Sequence, residues 1–219
     1  ASLRSGDLSR QVGAVIARDG ELLATGANDC PKAGGGLYWP IYNKKSREFE
    51  EFPNGRDSAR GEDSNKRAQL QIIEDILSEC EREQIDESVI DKMKAILEES
   101  DITQLTEFGR VVHAEMEALL SCARKGLSTR KATIYCTTFP CHNCAKHIIA
   151  AGIERVVFVE PYLKSKAKTH HDEIIKIEYP APAGKPINGT EEVRFEPFFG
   201  VGPRRFFDLF SMNLGIGTD

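Results

Sequence analysis

Apolar positions along the chain fall into short β-type runs and longer stretches with helical spacing, and the two kinds alternate through most of its length. Residues 11–17 (QVGAVIA) and 22–25 are short apolar runs joined across Asp19-Gly20, a dipeptide suited to a tight hairpin turn. Residues 1–8 resemble the last turns of a helix whose beginning is absent, so the numbered chain is expected to start inside an element and to be part of something longer. Between residues 31 and 110 the pattern changes. Gly34-Gly35-Gly36, an aromatic cluster of Tyr38, Trp39 and Tyr42, and mixed charges lead into two helical patterns. Leu70, Ile73, Ile76, Leu77 and Cys80 recur at helical spacing, as do Val89, Met93, Ile96 and Leu97, and together they predict a helical hairpin. This stretch reads as an inserted helical subdomain within a single domain spanning 1–219.

Beyond the insertion, residues 113–124 and 141–151 read as helices, and 132–137 (ATIYCT) and 156–160 as buried strands. Further strands are predicted at 174–179 and 193–195, and a short helix at 204–210. Helices alternating with short buried strands favour an α/β fold with a mixed or mainly parallel sheet covered on both faces. At 219 residues the chain can build one full α/β core and still carry an insertion.

Composition excludes some partners. Charged residues make up 29% and the formal net charge is -5, which disfavours a coat for long polynucleotides yet leaves room for a local basic pocket. No apolar run approaches the roughly 20 residues that span a bilayer, and no secretory leader pattern opens the chain, so a cytoplasmic location is expected. Six cysteines in a reducing compartment are metal ligands or buried apolar groups more often than disulfides.

Two segments carry candidate chemistry: His113-Ala114-Glu115 and Pro140-Cys141-His142-Asn143-Cys144. A lone CxxC is also compatible with a redox pair or two buried thiols. At a helix start, however, two cysteines three apart project about 60° apart around the axis, so both sulfurs reach one ion. Unpaired amides and the positive end of the helix dipole there favour thiolates. Two thiolates, one neutral imidazole and Zn²⁺ sum to zero and leave a fourth tetrahedral position open, the mark of a catalytic rather than a structural site. Glu115 serves the same site only if His113 stands at a helix N-terminus, because residues two apart within a helix point about 200° apart.

The pattern H-x-E…P-C-x-x-C is that of zinc deaminases acting on nucleobases. HAEMEALL and TIYCTTFPCHNCAKHIIAAGIERVVF, with SRQVGAVIARDGELLATGAND upstream, resemble the cytidine and deoxycytidylate deaminase superfamily. The resemblance implies a cytidine-deaminase-like α/β/α sandwich, with His113, Cys141 and Cys144 as zinc ligands, Glu115 as proton shuttle and Asn28 as a contact to the sugar. A nearer resemblance, through LRSGDLSRQVGAVI, VEPYLKSKAKTHHDEI and VRFEPFFGVGPRRFFDLF, is to the deaminase half of bacterial anti-phage deoxycytidylate deaminases. Those enzymes deplete dCTP and often carry an N-terminal P-loop kinase-like domain, and the resemblance implies such a domain ahead of the numbered residues in the full-length protein. The implied reaction is hydrolytic deamination of a free deoxycytidine nucleotide, dCTP or dCMP. By analogy, the assembly is a homo-oligomer.

Other residues carry two readings each. Asn28 with Asp29 also suits a plain turn after a strand. Lys164, Lys166 and Lys168 suit either substrate phosphates or a solvated loop. His170-His171-Asp172 invites a second metal, although adjacent residues rarely converge on one ion, and His171 suits substrate contact or capping equally. Arg204 and Arg205, among Phe206, Phe207 and Phe210, suit a triphosphate clamp, a subunit contact or an amphipathic helix. Trp39 and Tyr42 either stack on a base or pin the insertion to the core. Cys30, Cys80, Cys122 and Cys136 lack ligand spacing and read as small hydrophobes. The competing functions are a deaminase of single-stranded nucleic acid or tRNA, for which the net charge gives little support, and an idle zinc module, for which Glu115 would have no use.

Overall fold

The computed structural model describes residues 1–177 and 192–202, so the segment bearing Arg204 and Arg205 and the end of the strand predicted at 174–179 lie outside the described residues. The chain opens with a 3-10 turn at Ser2–Arg4 rather than the helical tail that residues 1–8 suggest. The reason is local competition for hydrogen bonds. The Ser5 hydroxyl donates to the Asn28 carbonyl at 2.9 Å and the Gly6 amide to the Asp29 carboxylate at 3.0 Å, so the backbone is tied across to another segment.

Strands β1 (Gly13–Arg18) and β2 (Glu21–Ala27) pair antiparallel, with a register shift between Ile16 and Ala17. Asp19 and Gly20 turn the chain at φ +53° and +82°, as a two-residue hairpin of the I′ kind requires. Residues 31–110 contribute a small ribbon, β3 (Ile41–Asn43) with β4 (Glu48–Glu50), the single turn α1 (Asp57–Arg60), and helices α2 (Ser64–Arg82) and α3 (Glu87–Glu99). Asp63 caps α2 by accepting from the amides of Asn65 and Lys66, and Asp86 caps α3 through the Ser88 amide. The two helices pack as the predicted hairpin, followed by a 3-10 turn at Asp101–Gln104. Only Gln69 and Ile73 of α2, and no residue of α3, are fully buried, so the hairpin is a satellite of the main core.

The remaining elements alternate as the sequence predicts: α4 (Ala114–Arg124), β5 (Thr133–Thr138), α5 (His142–Ala150), β6 (Arg155–Glu160), the single turn α6 (Ala167–His170), β7 (Ile175–Ile177) and β8 (Val193–Pro197). The six strands of the main sheet run in the order β2-β1-β5-β6-β8-β7. Pairing is antiparallel from β2 through β1 to β5 and parallel from β5 onward, which makes the sheet mixed. No helix among the described residues is long and apolar enough to cross a membrane.

One sheet face supplies Ala14, Ile16, Ala24, Ile134, Cys136, Val156, Phe158 and Phe195 to a continuous core, closed by Ala118 and Cys122 of α4 and Ala145 and Ile148 of α5. Each fully buried Ile, Val or Phe contributes about 1.5–3 kcal/mol relative to exposure. Gly26 brings α4 hard against β2. A Cβ on Gly26 would lie 2.0 Å from the Ala114 carbonyl oxygen and 2.6 Å from the Ala118 nitrogen. The start of α4 is thereby pinned beside the end of β2, where Asn28 follows. Phe139, edge-on to Phe158 at 4.9 Å and tilted against Phe195 at 5.3 Å, holds the turn between β5 and α5.

Candidate active site

Helices α4 and α5 begin next to each other at the sheet end where β5 and β6 finish, and each begins on a residue with chemistry. His113 is the N-cap of α4 (φ -65°, ψ 152°), delivered by the extended, β-branched Val111-Val112. Cys141 is the N-cap of α5 (φ -67°, ψ 165°), just after Pro140, and its sulfur accepts the Cys144 amide at 3.4 Å. Because His113 is extended rather than helical, its ring and the Glu115 side chain reach the same point. The condition that the spacing imposes is met.

His113 Nδ1 lies 3.3 Å from Cys141 Sγ and 3.4 Å from Cys144 Sγ, and the three donor atoms all fall within 4.8 Å of one another. Tetrahedral zinc, with bonds of about 2.3 Å to sulfur and about 2.0 Å to nitrogen, needs N···S edges near 3.5 Å, so the residues fit the ion. Among the described residues this is the one group of His, Cys, Asp or Glu side chains so arranged, and His170, His171 and Asp172 form no second one. Glu115 is 4% exposed, and its Oε2 accepts from the Cys144 thiol at 3.4 Å.

Metal-free, the trio is electrostatically coupled. The Cys141 thiol is lowered to about 4 by hydrogen bonding with Cys144 and then by the His113 imidazole. His113 is raised to about 9, chiefly by its bond to Cys141. Cys144 is raised well above the usual thiol value, because Cys141 holds its proton and burial opposes a second thiolate. Burial, and then the charge on Cys141, raises the Glu115 carboxyl. A divalent cation reverses the balance for the ligands by favouring both thiolates and the neutral imidazole. Burial makes Glu115 hold its proton more tightly than a carboxyl in water does, which suits a group that must give a proton as well as take one.

A cavity of about 470 Å³ opens over these groups. Thr138 and Phe139 line it from the end of β5, Tyr162 and Lys164 from beyond β6, Asn28 from the end of β2, and Arg10 and Val12 from the lead-in to β1. Asn28 carries both of its readings at once. It lines the cavity, and its side chain ties the lead-in to β1 by accepting the Val12 amide and donating to the Arg10 carbonyl, each at 2.7 Å. The three lysines separate. Lys166 pairs with Asp101 at 2.8 Å and Lys168 donates to the carbonyls of Asp172 and Ile175, whereas Lys164 lines the cavity without an ion pair among the described residues.

Arg10 was not singled out by the sequence, yet it lines the same cavity with its guanidinium 5.5 Å from the Tyr162 ring centroid, and it too lacks a carboxylate partner among the described residues. Its only sequence signal is a cation just ahead of β1, level with Asn28. Of the acids around the cavity, only Asp57 is held in an ion pair among the described residues. Asp7 accepts the Ser9 and Arg10 amides, Asp63 caps α2, and Asp57 is paired with Arg110. His171 does not line the cavity; it stands at the end of α6, where its carbonyl accepts the Ile174 and Ile175 amides. Trp39 and Tyr42 also stay outside, Trp39 beneath the Arg4 guanidinium at 4.5 Å and Tyr42 against Phe49. Cys30, Cys122 and Cys136 are buried as predicted, and Cys80 is half-buried.

The profile of the cytidine and deoxycytidylate deaminase zinc-binding region matches residues 2–160. Deoxycytidylate deaminase of Enterobacteria phage T4 is 31% identical over 158 residues, 72% of this chain and 71% of that protein. ComE operon protein 2 of Bacillus subtilis (strain 168) is 48% identical over 61 residues, which are 28% of this chain and 30% of that protein. Among solved structures, the apo form of dCMP deaminase from the cyanophage S-TIM5 covers 90% of this chain and 87% of its own, at 17% identity and a TM-score of 0.44. With the profile spanning most of its length and the His-Cys-Cys trio in zinc-binding geometry, the chain belongs to the cytidine and deoxycytidylate deaminase zinc-binding family.

Proposed function

We propose that the chain hydrolytically deaminates the cytosine of a free deoxycytidine nucleotide, dCMP or dCTP, giving the deoxyuridine nucleotide and ammonia. The observation that carries this reading is one cavity lined by His113 and Cys141 of the zinc-binding trio and by the buried Glu115 carboxyl, together with two cations, Arg10 and Lys164, that have no ion pair among the described residues. His113, Cys141 and Cys144 would hold the metal, which when bound supplies Lewis acidity that brings the pKa of water from about 16 toward about 7. Glu115 accepts a proton from the attacking water and passes it to ring N3 as the C–O bond forms at C4. It then moves the remaining hydroxyl proton to the amine as the C–N bond breaks, so that water and cytosine yield uracil and ammonia. Arg10, steadied by Tyr162, and Lys164 attract the phosphates, and Asn28 faces the sugar.

Depletion of deoxycytidine nucleotides in phage defence, a cytoplasmic location, a homo-oligomeric assembly and an N-terminal P-loop kinase-like partner domain belong to the same proposal on the strength of the sequence resemblance. The test is ammonia release from dCMP, dCTP, deoxycytidine and a cytosine-bearing single-stranded oligonucleotide. Turnover of the nucleotides, falling in Arg10→Ala and Lys164→Ala through a raised KM, supports the reading. Turnover confined to the oligonucleotide, or none on any substrate by zinc-loaded protein, overturns it.

A further inference from the structure

Two consecutive residues of the insertion grip the two chain segments that meet just before the metal centre. Asp29, following Asn28, and Val112, preceding His113, form an isolated backbone bridge, with N–H to O distances of 3.2 and 2.9 Å. On one side of this bridge the Asp29 carboxylate, 2% exposed, accepts a fork from Arg56 at 2.8 and 2.7 Å, along with the Gly6 and Cys30 amides. Arg56 is itself 6% exposed and also holds Glu51 at 2.8 Å and the Arg4 carbonyl at 3.2 Å. On the other side Asp57, 3% exposed, accepts from Arg110 at 3.1 Å and from the Cys30 thiol at 3.3 Å. Arg110 further donates to the Gly55 carbonyl, and its amide donates to the Ser64 hydroxyl.

We infer that Arg56 and Asp57 are positioning residues for His113, so that the inserted subdomain is part of the metal centre's framework. A metal-binding histidine is ordinarily oriented by a hydrogen bond from its second ring nitrogen to a carboxylate or carbonyl. His113 has none among the described residues: the hydrogen bonds of its ring are those of Nδ1 with Cys141 and Cys144. As an N-cap it also stands outside the helical geometry that fixes side-chain direction in α4. Its ring is therefore aimed by its backbone, and that backbone is aimed by the bridge to Asp29 and by the Arg110 to Asp57 pair. A clamp made of adjacent residues moves both sides of the bridge together, which keeps Asn28 and His113 in register across the cavity.

The inference rests on His113 as a metal ligand and not on the identity of the substrate, so zinc affinity tests it without any turnover. Zinc dissociation constants from competition with a chromophoric chelator, and the visible spectrum of Co²⁺-loaded protein, would be compared for wild type, Asp57→Asn, Arg56→Lys and Glu196→Gln. Glu196, 2% exposed and paired with Arg155 at 2.7 Å, is an equally buried ion-pair partner that does not line the cavity, and it controls for general destabilisation. Asp57→Asn, which acts on His113 through Arg110 and the backbone and not by a direct bond, is expected to weaken zinc binding by about tenfold, the low end of the effect of losing a ligand's direct partner, and to shift the Co²⁺ bands. Arg56→Lys, which keeps charge but loses the fork, is expected to weaken it less, and Glu196→Gln to lower Tm with zinc affinity unchanged. Wild-type zinc affinity in both clamp variants overturns the inference, as does an equal loss in Glu196→Gln. Because no substrate is used, either result leaves the deaminase reading to its own test.

Discussion

Glu115→Gln separates the chemistry of the site from its architecture. The substitution keeps the shape of a side chain that is 4% exposed and not among the metal-binding trio, so zinc should remain bound at one ion per chain. What it removes is the ability to take and return a proton. General acid–base catalysis is worth about 10²–10⁴ in rate, or roughly 3–5.5 kcal/mol of barrier at about 1.36 kcal/mol per decade. Stability should move the other way. In the metal-free protein, burial and the neighbouring Cys141 charge raise the Glu115 carboxyl above its ordinary 4.5, so the folded state holds that proton more tightly than the unfolded state. The group's contribution to stability is thus full below the ordinary carboxylate value and is lost as pH rises through the raised one. An uncharged amide does not titrate, so metal-free Glu115→Gln should gain Tm over wild type as pH rises. Ammonia release, zinc content and melting curves from pH 4 to 8 read the three effects. Turnover within tenfold of wild type refutes the assigned role, and a deficit in Tm that widens with pH refutes the electrostatic argument.

Other perturbations test the ligands and the scaffold. With Cys141 near 4, His113 near 9 and Cys144 well raised, the metal-free trio carries two protons that zinc must displace at neutral pH. The apparent zinc affinity should therefore rise about 100-fold per pH unit between about pH 5 and 8, and calorimetry in buffers of different ionisation enthalpy should register two protons released per ion. Cys141→Ser should lose both zinc and turnover, in contrast to Glu115→Gln, as metal analysis of the two variants would show. Gly26→Ala forces a methyl into the backbone of α4, where the Ala114 carbonyl would lie 2.0 Å away. It should cost about 2–3 kcal/mol in urea unfolding, the upper part of the range for overpacking, and should lower activity by displacing the helix that carries Glu115.

The placement of the candidate site's residues was largely legible because its information is local. His113, Glu115, Cys141 and Cys144 lie at two helix starts, and residue type, spacing and a preceding proline or β-branched pair mark such starts within a few residues. The hairpin at Asp19-Gly20 was legible for the same reason, since positive φ at both positions is a property of that dipeptide in a tight turn. What the chain brings together over long separations was not. Arg10 reaches the cavity only because β1 runs antiparallel to β2, so that the start of one strand sits beside the end of the other. Lys164 and Lys166 are two residues apart and look alike in sequence, yet one faces the cavity and the other meets Asp101, which follows α3. The placement of β8 between β6 and β7 depends on pairing across the sheet. β3 and β4, at three residues each, are too short to show a period.

X-ray absorption at the zinc edge of the fully loaded protein tests most directly whether His113, Cys141 and Cys144 share one ion with a vertex left open. The predicted spectrum has one zinc per chain with two sulfur neighbours at about 2.3 Å and two nitrogen or oxygen neighbours at about 2.0–2.1 Å. Adding a cytosine nucleotide should alter the light-atom shell while leaving the sulfur shell intact. A chain that binds no zinc, or zinc whose light-atom shell ignores the nucleotide, would contradict the account.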